Sequence, residues 1–212
     1  MKSHLMLVSF FLLAVGLSAC SSQDDGERQA EPAAAIVAET QDDPDAEKHL
    51  ATCRAAAVTL GGALQAELQT AMQAGGPGGA LAVCRTEAGA IARQVSDKQG
   101  LHVGRTSLGL RNPANAPDAW EQKGLVALTA RLHAGEAPEN LEEWALVTDT
   151  DGHQTFRYLK AIPTGSLCLA CHGDPLSPDV SAQLMKFYPE DRGTGFAVGE
   201  LRGAFTVALP VE

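Results

Sequence analysis

The sequence lacks the marks of several common functional classes. Acidic residues outnumber basic ones by 26 to 16, and no basic cluster offers a surface for nucleic acid. There is no phosphate-binding glycine-rich loop, no Ser/His/Asp arrangement and no evident pair of catalytic carboxylates. We therefore expect a protein that is not an enzyme and that does not bind nucleic acid.

Long apolar runs are also missing, apart from residues 5–17. That run is too short for a membrane-spanning helix, and Lys2 precedes it, as in a secretory signal. It ends in the letters LSAC at positions 17–20, which resemble a bacterial lipoprotein processing site. The pattern predicts a signal peptide over 1–19 and lipid on the Cys20 thiol. Ordinary signal cleavage that leaves Cys20 free is the alternative.

The residues after Cys20 predict where the protein is anchored. Position 21 is serine rather than aspartate, so inner-membrane retention is not signalled. We expect a lipid-anchored protein on the periplasmic side of the envelope, in the outer membrane of a Gram-negative bacterium. Residues 20–47 carry nine acidic side chains, one arginine and no aromatic residue, which predicts a flexible acidic tether. Residues 48–212 are long enough to form one domain with its own core.

Cysteine is scarce, but two of the five cysteines form the most informative pattern in the chain. Cys168 and Cys171 stand at i and i+3, and His172 follows at once. Each thiol can add to one porphyrin vinyl group while the histidine binds the iron, so this spacing is typical of c-type haem. Zinc would need a second ligand pair, which is missing. The pattern predicts one covalent haem c, and a disulfide is the alternative.

The first half of the domain is predicted to be helical. Apolar residues recur at helical spacing over 50–72 and again over 81–95. The glycine-rich stretch 75–79 between them predicts a tight turn and two antiparallel helices. Cys84 belongs to the second apolar stripe, so we expect it to face the interior.

The second half mixes loops, helices and strands. Glycine, asparagine and proline over 98–117 predict a long loop, and Asp118 is a suitable N-cap for a helix to His133. Ser177-Pro178 opens a short helix, and the remaining apolar segments predict strands. The order predicts an α+β domain with a small antiparallel sheet. The predicted strands are 141–147, 154–162 and 203–211.

Seven segments together resemble a known family. They are AVC at 82–84, VGRTSL at 103–108, LRNP at 110–113, NAPDAWE at 115–121, RYLKAI at 157–162, CLACHG at 168–173 and GELRGAF at 199–205. In this order they resemble a bacterial family of haem-c-binding domains with a PAS-like fold, long catalogued as a domain of unknown function. The resemblance implies a PAS-like α+β fold with long N-terminal helices and one haem c.

The resemblance also implies the second iron ligand, Cys84, opposite His172. Cys84 as a structural cysteine is one alternative, and a disulfide to Cys53 is another. Straight helices would hold Cys53 and Cys84 roughly 25 Å apart at about 1.5 Å per residue, which opposes the disulfide. An open site remains a further alternative, as do five other candidate ligands: Met185, His153, His102, His133 and His49.

Two arginines lie in the long loop of the family pattern. The guanidinium groups of Arg105 and Arg111 suit a haem propionate. The equal alternative is that they bind the carbonyl groups of their own loop.

The resemblance implies a role in electron transfer or redox sensing, with a redox partner protein. The alternative is a haem-based sensor of O2, NO or CO. Some family members are sensory parts of larger signalling proteins. No kinase or other output region follows Glu212 here, so we expect any signal to pass through a separate partner.

Overall fold

A computed structural model describes residues 36–211 of the chain. The predicted signal peptide, the lipid site at Cys20 and the first part of the predicted tether lie outside these residues.

Two helices form the N-terminal part of the domain. Helix α1 spans Ala46–Thr86 and α2 spans Ala88–Gln99. Helix α1 breaks at Gly76, whose φ of 62° suits glycine. A Cβ placed on Gly79 would lie 3.5 Å from the Ala71 carbonyl oxygen, whereas eight residues of straight helix would span about 12 Å. The chain therefore reverses at this break, and the predicted helical hairpin is confirmed.

In residues 36–211, five strands form one antiparallel sheet. They are β1 (Ile36–Thr40), β2 (His102–Thr106), β3 (Glu142–Asp149), β4 (Gln154–Pro163) and β5 (Leu201–Val211). Their order is β1-β3-β4-β5-β2, so the last strand in sequence lies between β4 and β2. The predicted strands 141–147 and 154–162 are confirmed as β3 and β4, which pair in antiparallel fashion. The predicted α+β class, with long N-terminal helices and a small antiparallel sheet, is also confirmed.

Two of the predicted boundaries are wrong. The tether was expected to reach residue 47, but β1 pairs with β3 and α1 begins at Ala46. An edge strand is held by backbone hydrogen bonds and does not need a long apolar pattern. Strand β1 lies in an acidic segment, so the sequence pattern did not indicate it. The loop expected over 98–117 contains the end of α2 and all of β2. Gly104 interrupts the apolar pattern of β2, whose partner β5 comes about one hundred residues later.

The sheet is buried on both faces. Phe156 and Tyr158 of β4 point to one face and pack against the α1–α2 hairpin. Leu159 and Ala161 point to the other face and pack against α3 (Ala119–His133). This period of two is what a strand between two helical layers requires. In the described part of the chain, no helix is long and apolar enough to cross a membrane.

Helix α3 starts at the predicted N-cap. The Asp118 carboxylate accepts a hydrogen bond from the Glu121 backbone N–H at 2.8 Å. Glu121 in turn accepts one from the Asp118 backbone N–H at 3.0 Å, which completes a capping box. The same Asp118 carboxylate accepts a hydrogen bond from Arg157 at 2.8 Å, so the cap also ties α3 to β4.

Loss of this cap should destabilise the fold measurably. We expect Asp118→Ala to lower the free energy of unfolding by about 1–2 kcal/mol, because the helix loses its N-cap acceptor. Asp97→Ala, at an exposed position in α2, is the control and should change it by less than about 0.5 kcal/mol. Urea unfolding of the two variants measures the difference. Equal losses would contradict the role of the cap.

Candidate haem site

The Cys168–His172 segment forms a tight helical turn just after β4. A 3-10 turn over Ser166–Cys168 runs directly into α4, Leu169–His172. The turn is closed by a hydrogen bond from the Gly173 backbone N–H to the Leu169 carbonyl at 3.1 Å. Residues three apart in a helical turn share a face, so Cys168 and Cys171 project to the same side. Both cysteines and His172 are half-buried.

A loop from the C-terminal part of the chain holds this turn in place. The Phe196 backbone N–H donates to the His172 carbonyl at 2.9 Å. Arg111 donates to the Cys171 carbonyl at 2.6 Å and to the Gly193 carbonyl at 3.2 Å, and its Nε lies 3.1 Å from both oxygens of Asp191. Within residues 36–211, Arg111 therefore binds carbonyls of the cysteine turn and of the Gly193 segment, not those of its own loop, so the loop-carbonyl alternative is wrong for Arg111. A propionate contact by Arg111 stays a prediction.

The His172 ring is oriented through its Nδ1 atom. This atom lies 2.5 Å from the Gly193 carbonyl oxygen and 3.0 Å from Nε of Arg202. No hydrogen bond from residues 36–211 reaches Nε2. Burial, reinforced by the Arg202 and Arg111 charges, lowers the pKa of His172 to about 3. The imidazole is therefore neutral at physiological pH, the state in which it can bind a metal.

Cys84 approaches the same region from the second arm of α1. Leu81, one helical turn earlier, is buried in a cluster with α5 (Pro178–Phe187), and Cys171 packs against that cluster. Burial raises the pKa of the Cys84 thiol, whereas the charges of Arg105 and Arg111 lower it. Charges act on a thiol in this way only at short range, so Cys84 lies near Arg105 and Arg111. The shared cluster of Leu81 and Cys171 also brings it near the Cys168–His172 turn.

The exposure of Cys84 differs from the prediction. Its side chain is exposed to solvent, although Leu81 and Ala88 on the same stripe are buried. The stripe packs on the rest of the protein on both sides of Cys84, while Cys84 itself stays exposed among the described residues. Protein surrounds the thiol closely enough to raise its pKa, yet solvent reaches it. Such a thiol is available to a ligand.

The predicted alternatives for Cys84 are less well placed. Cys53 is fully buried among α1, α2 and the sheet, and both Cys53 and Cys84 are free thiols, so the disulfide is not formed. Met185 is 70 % exposed on α5. His49 and His153 pair with Asp43 and Asp149 respectively. His102 begins β2 and His133 ends α3.

Among the described residues, Arg105 has no carboxylate partner, whereas Arg111 pairs with Asp191. Arg105 lies on β2 opposite Phe205 of β5. Burial lowers its pKa, and within 36–211 no salt bridge involves it. A cation removed from water without a partner is costly, so this position favours a carboxylate supplied by a ligand. The propionate role predicted for Arg105 fits this environment and stays a prediction.

Sequence reasoning missed several residues of the site. Gly193, Asp191 and Arg202 all contact the Cys168–His172 turn or its anchor Arg111, and they follow the turn by about 20 to 30 residues. Tyr188 also lies near Cys84: burial, and after it the charge of Cys84, raises the pKa of the tyrosine hydroxyl. Arg202 belongs to the resembling segment 199–205, which was the one available signal. The other three carry no local pattern.

Comparison with known proteins gives one family and one solved structure. The model of the Tll0287-like family matches residues 23–210. A similar solved structure is described as the crystal structure of the cyanobacterial heme-protein Tll0287. It is 26% identical, with a TM-score of 0.54, and the match covers 80% of this chain and 98% of that chain. No curated protein sequence matches this chain.

Proposed function

The chain belongs to the Tll0287-like family, and we propose that it is a haem-binding protein with one covalent haem c that acts in electron transfer or redox sensing. The resemblance to a haem-binding domain family is confirmed, and the solved relative is a haem protein. One observation carries the proposal. Cys168, Cys171 and His172 share a single anchored turn, and no hydrogen bond from the described residues reaches Nε2 of the neutral His172 ring.

The donor set suits haem c better than any other group. Two thiols on one face supply attachment points, and an imidazole and a second thiol, Cys84, supply iron ligands of the kinds that haem proteins use. Bound haem supplies an iron centre that takes up and gives up one electron. The unpaired Arg105 supplies a cation for a propionate. Within residues 36–211, no three of Cys84, Cys168, Cys171 and His172 bring their ligand atoms close enough together to share one metal ion, which does not favour zinc.

The two thiols would form thioether bonds without an added oxidant or reductant. Each S–H adds across one vinyl C=C bond, so that sulfur bonds to one carbon and the hydrogen goes to the other. Burial raises the pKa of the Cys171 thiol, and the Arg111 charge opposes this effect. The thiols need to be reduced for this step, and both are free thiols in the structure.

His172 and Cys84 would be the two residues that hold the iron. His172 binds through Nε2 while its Nδ1–H donates to the Gly193 carbonyl, which fixes the ring orientation. Cys84 would bind as a thiolate. Burial raises the pKa of its thiol, and the nearby charges of Arg105 and Arg111 oppose that effect. A thiolate stabilises ferric iron, so the proposed centre has a low potential.

The wider setting is also part of the proposal. We infer an exported lipoprotein, anchored through Cys20 on the periplasmic side of the outer membrane. It exchanges electrons with a separate redox partner protein and catalyses no reaction. The sequence motif at 17–20 supports the anchor, and haem c attachment takes place on the same exported side.

Sensing of O2, NO or CO is the second candidate function. The solvent-exposed Cys84 favours this function, because a thiol ligand that packing does not hold in place can be displaced from the iron by a gas molecule. The signal would then pass to a separate partner. Rapid CO binding by the ferrous protein would favour this function over electron transfer.

Export of the protein from a host that matures c-type cytochromes tests the proposal. We expect a pyridine haemochrome of the c type, with one haem per chain that stays with the polypeptide after denaturation. A low-spin ferric spectrum with thiolate character would support both His172 and Cys84. A protein that carries no covalent haem would overturn the proposal and leave Cys168 and Cys171 as a dithiol.

A further inference from the structure

We propose that Arg202 is a positioning residue that shifts the proposed haem toward its ferrous form by holding a cation against the iron ligand His172. This inference rests on the proposed ligation by His172. It concerns a residue outside the attachment turn and outside the two arginines that the sequence singled out.

The guanidinium of Arg202 is fixed from three sides. At the start of β5, its NH1 nitrogen donates to Ser107 Oγ at 2.8 Å and to the Gly109 carbonyl at 3.1 Å. Its central carbon lies 5.1 Å from the centre of the Phe196 ring, which itself meets the His172 ring edge-on. Its Nε lies 3.0 Å from Nδ1 of His172. The cation is therefore held beside the imidazole.

Two groups compete for Nδ1 of His172. The Gly193 carbonyl can only accept a hydrogen bond, and Arg202 Nε can only donate one. A neutral imidazole that binds a metal through Nε2 carries its proton on Nδ1, and that proton goes to the Gly193 carbonyl. Arg202 then keeps its position through Ser107 and Gly109, but its charge faces an N–H rather than an acceptor.

The charge of Arg202 is not neutralised locally. Within residues 36–211 no salt bridge involves Arg202, and the nearby carboxylate of Asp191 pairs with Arg111. Burial, followed by repulsion from Arg111 and Arg105, lowers the pKa of Arg202 to about 10, so the cation persists at neutral pH. Ferric haem carries one more positive charge than ferrous haem. A fixed cation one imidazole ring away from Nε2 therefore disfavours the ferric form.

Redox titration of the haem-loaded protein tests the inference. At a fixed ambient potential, Arg202→Gln should lower the ferrous-to-ferric ratio by roughly tenfold to thirtyfold, as expected for a nearby charge at the effective dielectric of proteins. Each tenfold change corresponds to about 59 mV for a one-electron couple. Arg202→Lys keeps the charge and should change the ratio less than about threefold.

Arg192→Gln is the matched control. It removes the same charge from the adjacent loop, but Arg192 is exposed, so solvent should screen its effect to less than about twofold. Ser107→Asp is a second test that leaves Arg202 in place. It adds a carboxylate beside NH1, and it should lower the ratio in the same direction as Arg202→Gln.

The outcomes separate this inference from the proposed function. Unchanged ratios in both Arg202→Gln and Ser107→Asp would overturn the inference. Equal losses in Arg202→Gln and Arg202→Lys would also overturn it, because they would show a structural role rather than a charge effect. Wild-type protein without covalent haem would instead overturn the proposed function.

Discussion

Replacement of both Cys168 and Cys171 by serine should abolish covalent retention of haem. In the wild-type protein we expect nearly all the haem to stay with the chain on a denaturing gel, and in the double variant only a background signal. The reason is chemical: a serine hydroxyl does not form the thioether, while the turn that carries it keeps its backbone hydrogen bonds. Each single variant should keep one thioether and therefore keep its haem on the gel.

The double variant should still bind haem reversibly. His172 and Cys84 remain, and Arg105 remains available to a propionate, so non-covalent haem should be detectable before denaturation. Cys53→Ala is the matched control, because it removes a thiol that is buried far from this turn among α1 and the sheet. Covalent haem in the double variant, or its loss in Cys53→Ala, would contradict the assignment of the attachment residues.

Replacement of Cys84 by alanine should convert a low-spin ferric spectrum into a high-spin one. The variant loses the proposed second iron ligand, and the nearby Cys171 thiol would already be bound in a thioether. The ferrous form should then bind CO faster than the wild-type protein does. Cys84→Met should restore a second ligand of neutral charge and raise the potential on the order of 100 mV or more, since axial ligands tune haem potentials over about 0.8 V.

Thr86→Ala is the control for the Cys84 variants. Thr86 is also exposed and lies two residues further along the same helix, so general loosening of α1 would affect both variants alike. An unchanged ferric spectrum in Cys84→Ala would show that Cys84 is not a ligand. Rapid CO binding by the wild-type protein itself would favour the gas-sensing function.

Local signals predicted much of this fold because their causes are local. Asp118 caps α3 through atoms only three residues away, and the break at Gly76 depends on the conformational freedom of one residue. Strands β1 and β2 depend instead on distant partners in β3 and β5. Their own sequences contain acidic residues or glycine, so the pairing that stabilises them is invisible until those partners are in place.

The site divides in the same way. The spacing of Cys168, Cys171 and His172 is a local pattern, and the structure places all three on one turn. The contact between Arg111 and Asp191 joins residues 80 positions apart, and that between Arg202 and Ser107 joins residues 95 apart. Contacts of this kind form only when the sheet is assembled, so residue spacing alone does not predict them.

The sheet order has a consequence for the timing of maturation. Strand β5 occupies an interior place in the sheet but follows the cysteine turn in the sequence. When a chain emerges from its N-terminal end, residues 168–172 arrive before Gly193 and Arg202, the residues that later hold His172. Between these two moments, the two thiols lie on a segment that has not yet made its contacts with Gly193 and Arg202. Insertion of β5 then brings Arg202 into contact with His172, so the turn takes up its final contacts only after both thiols have emerged.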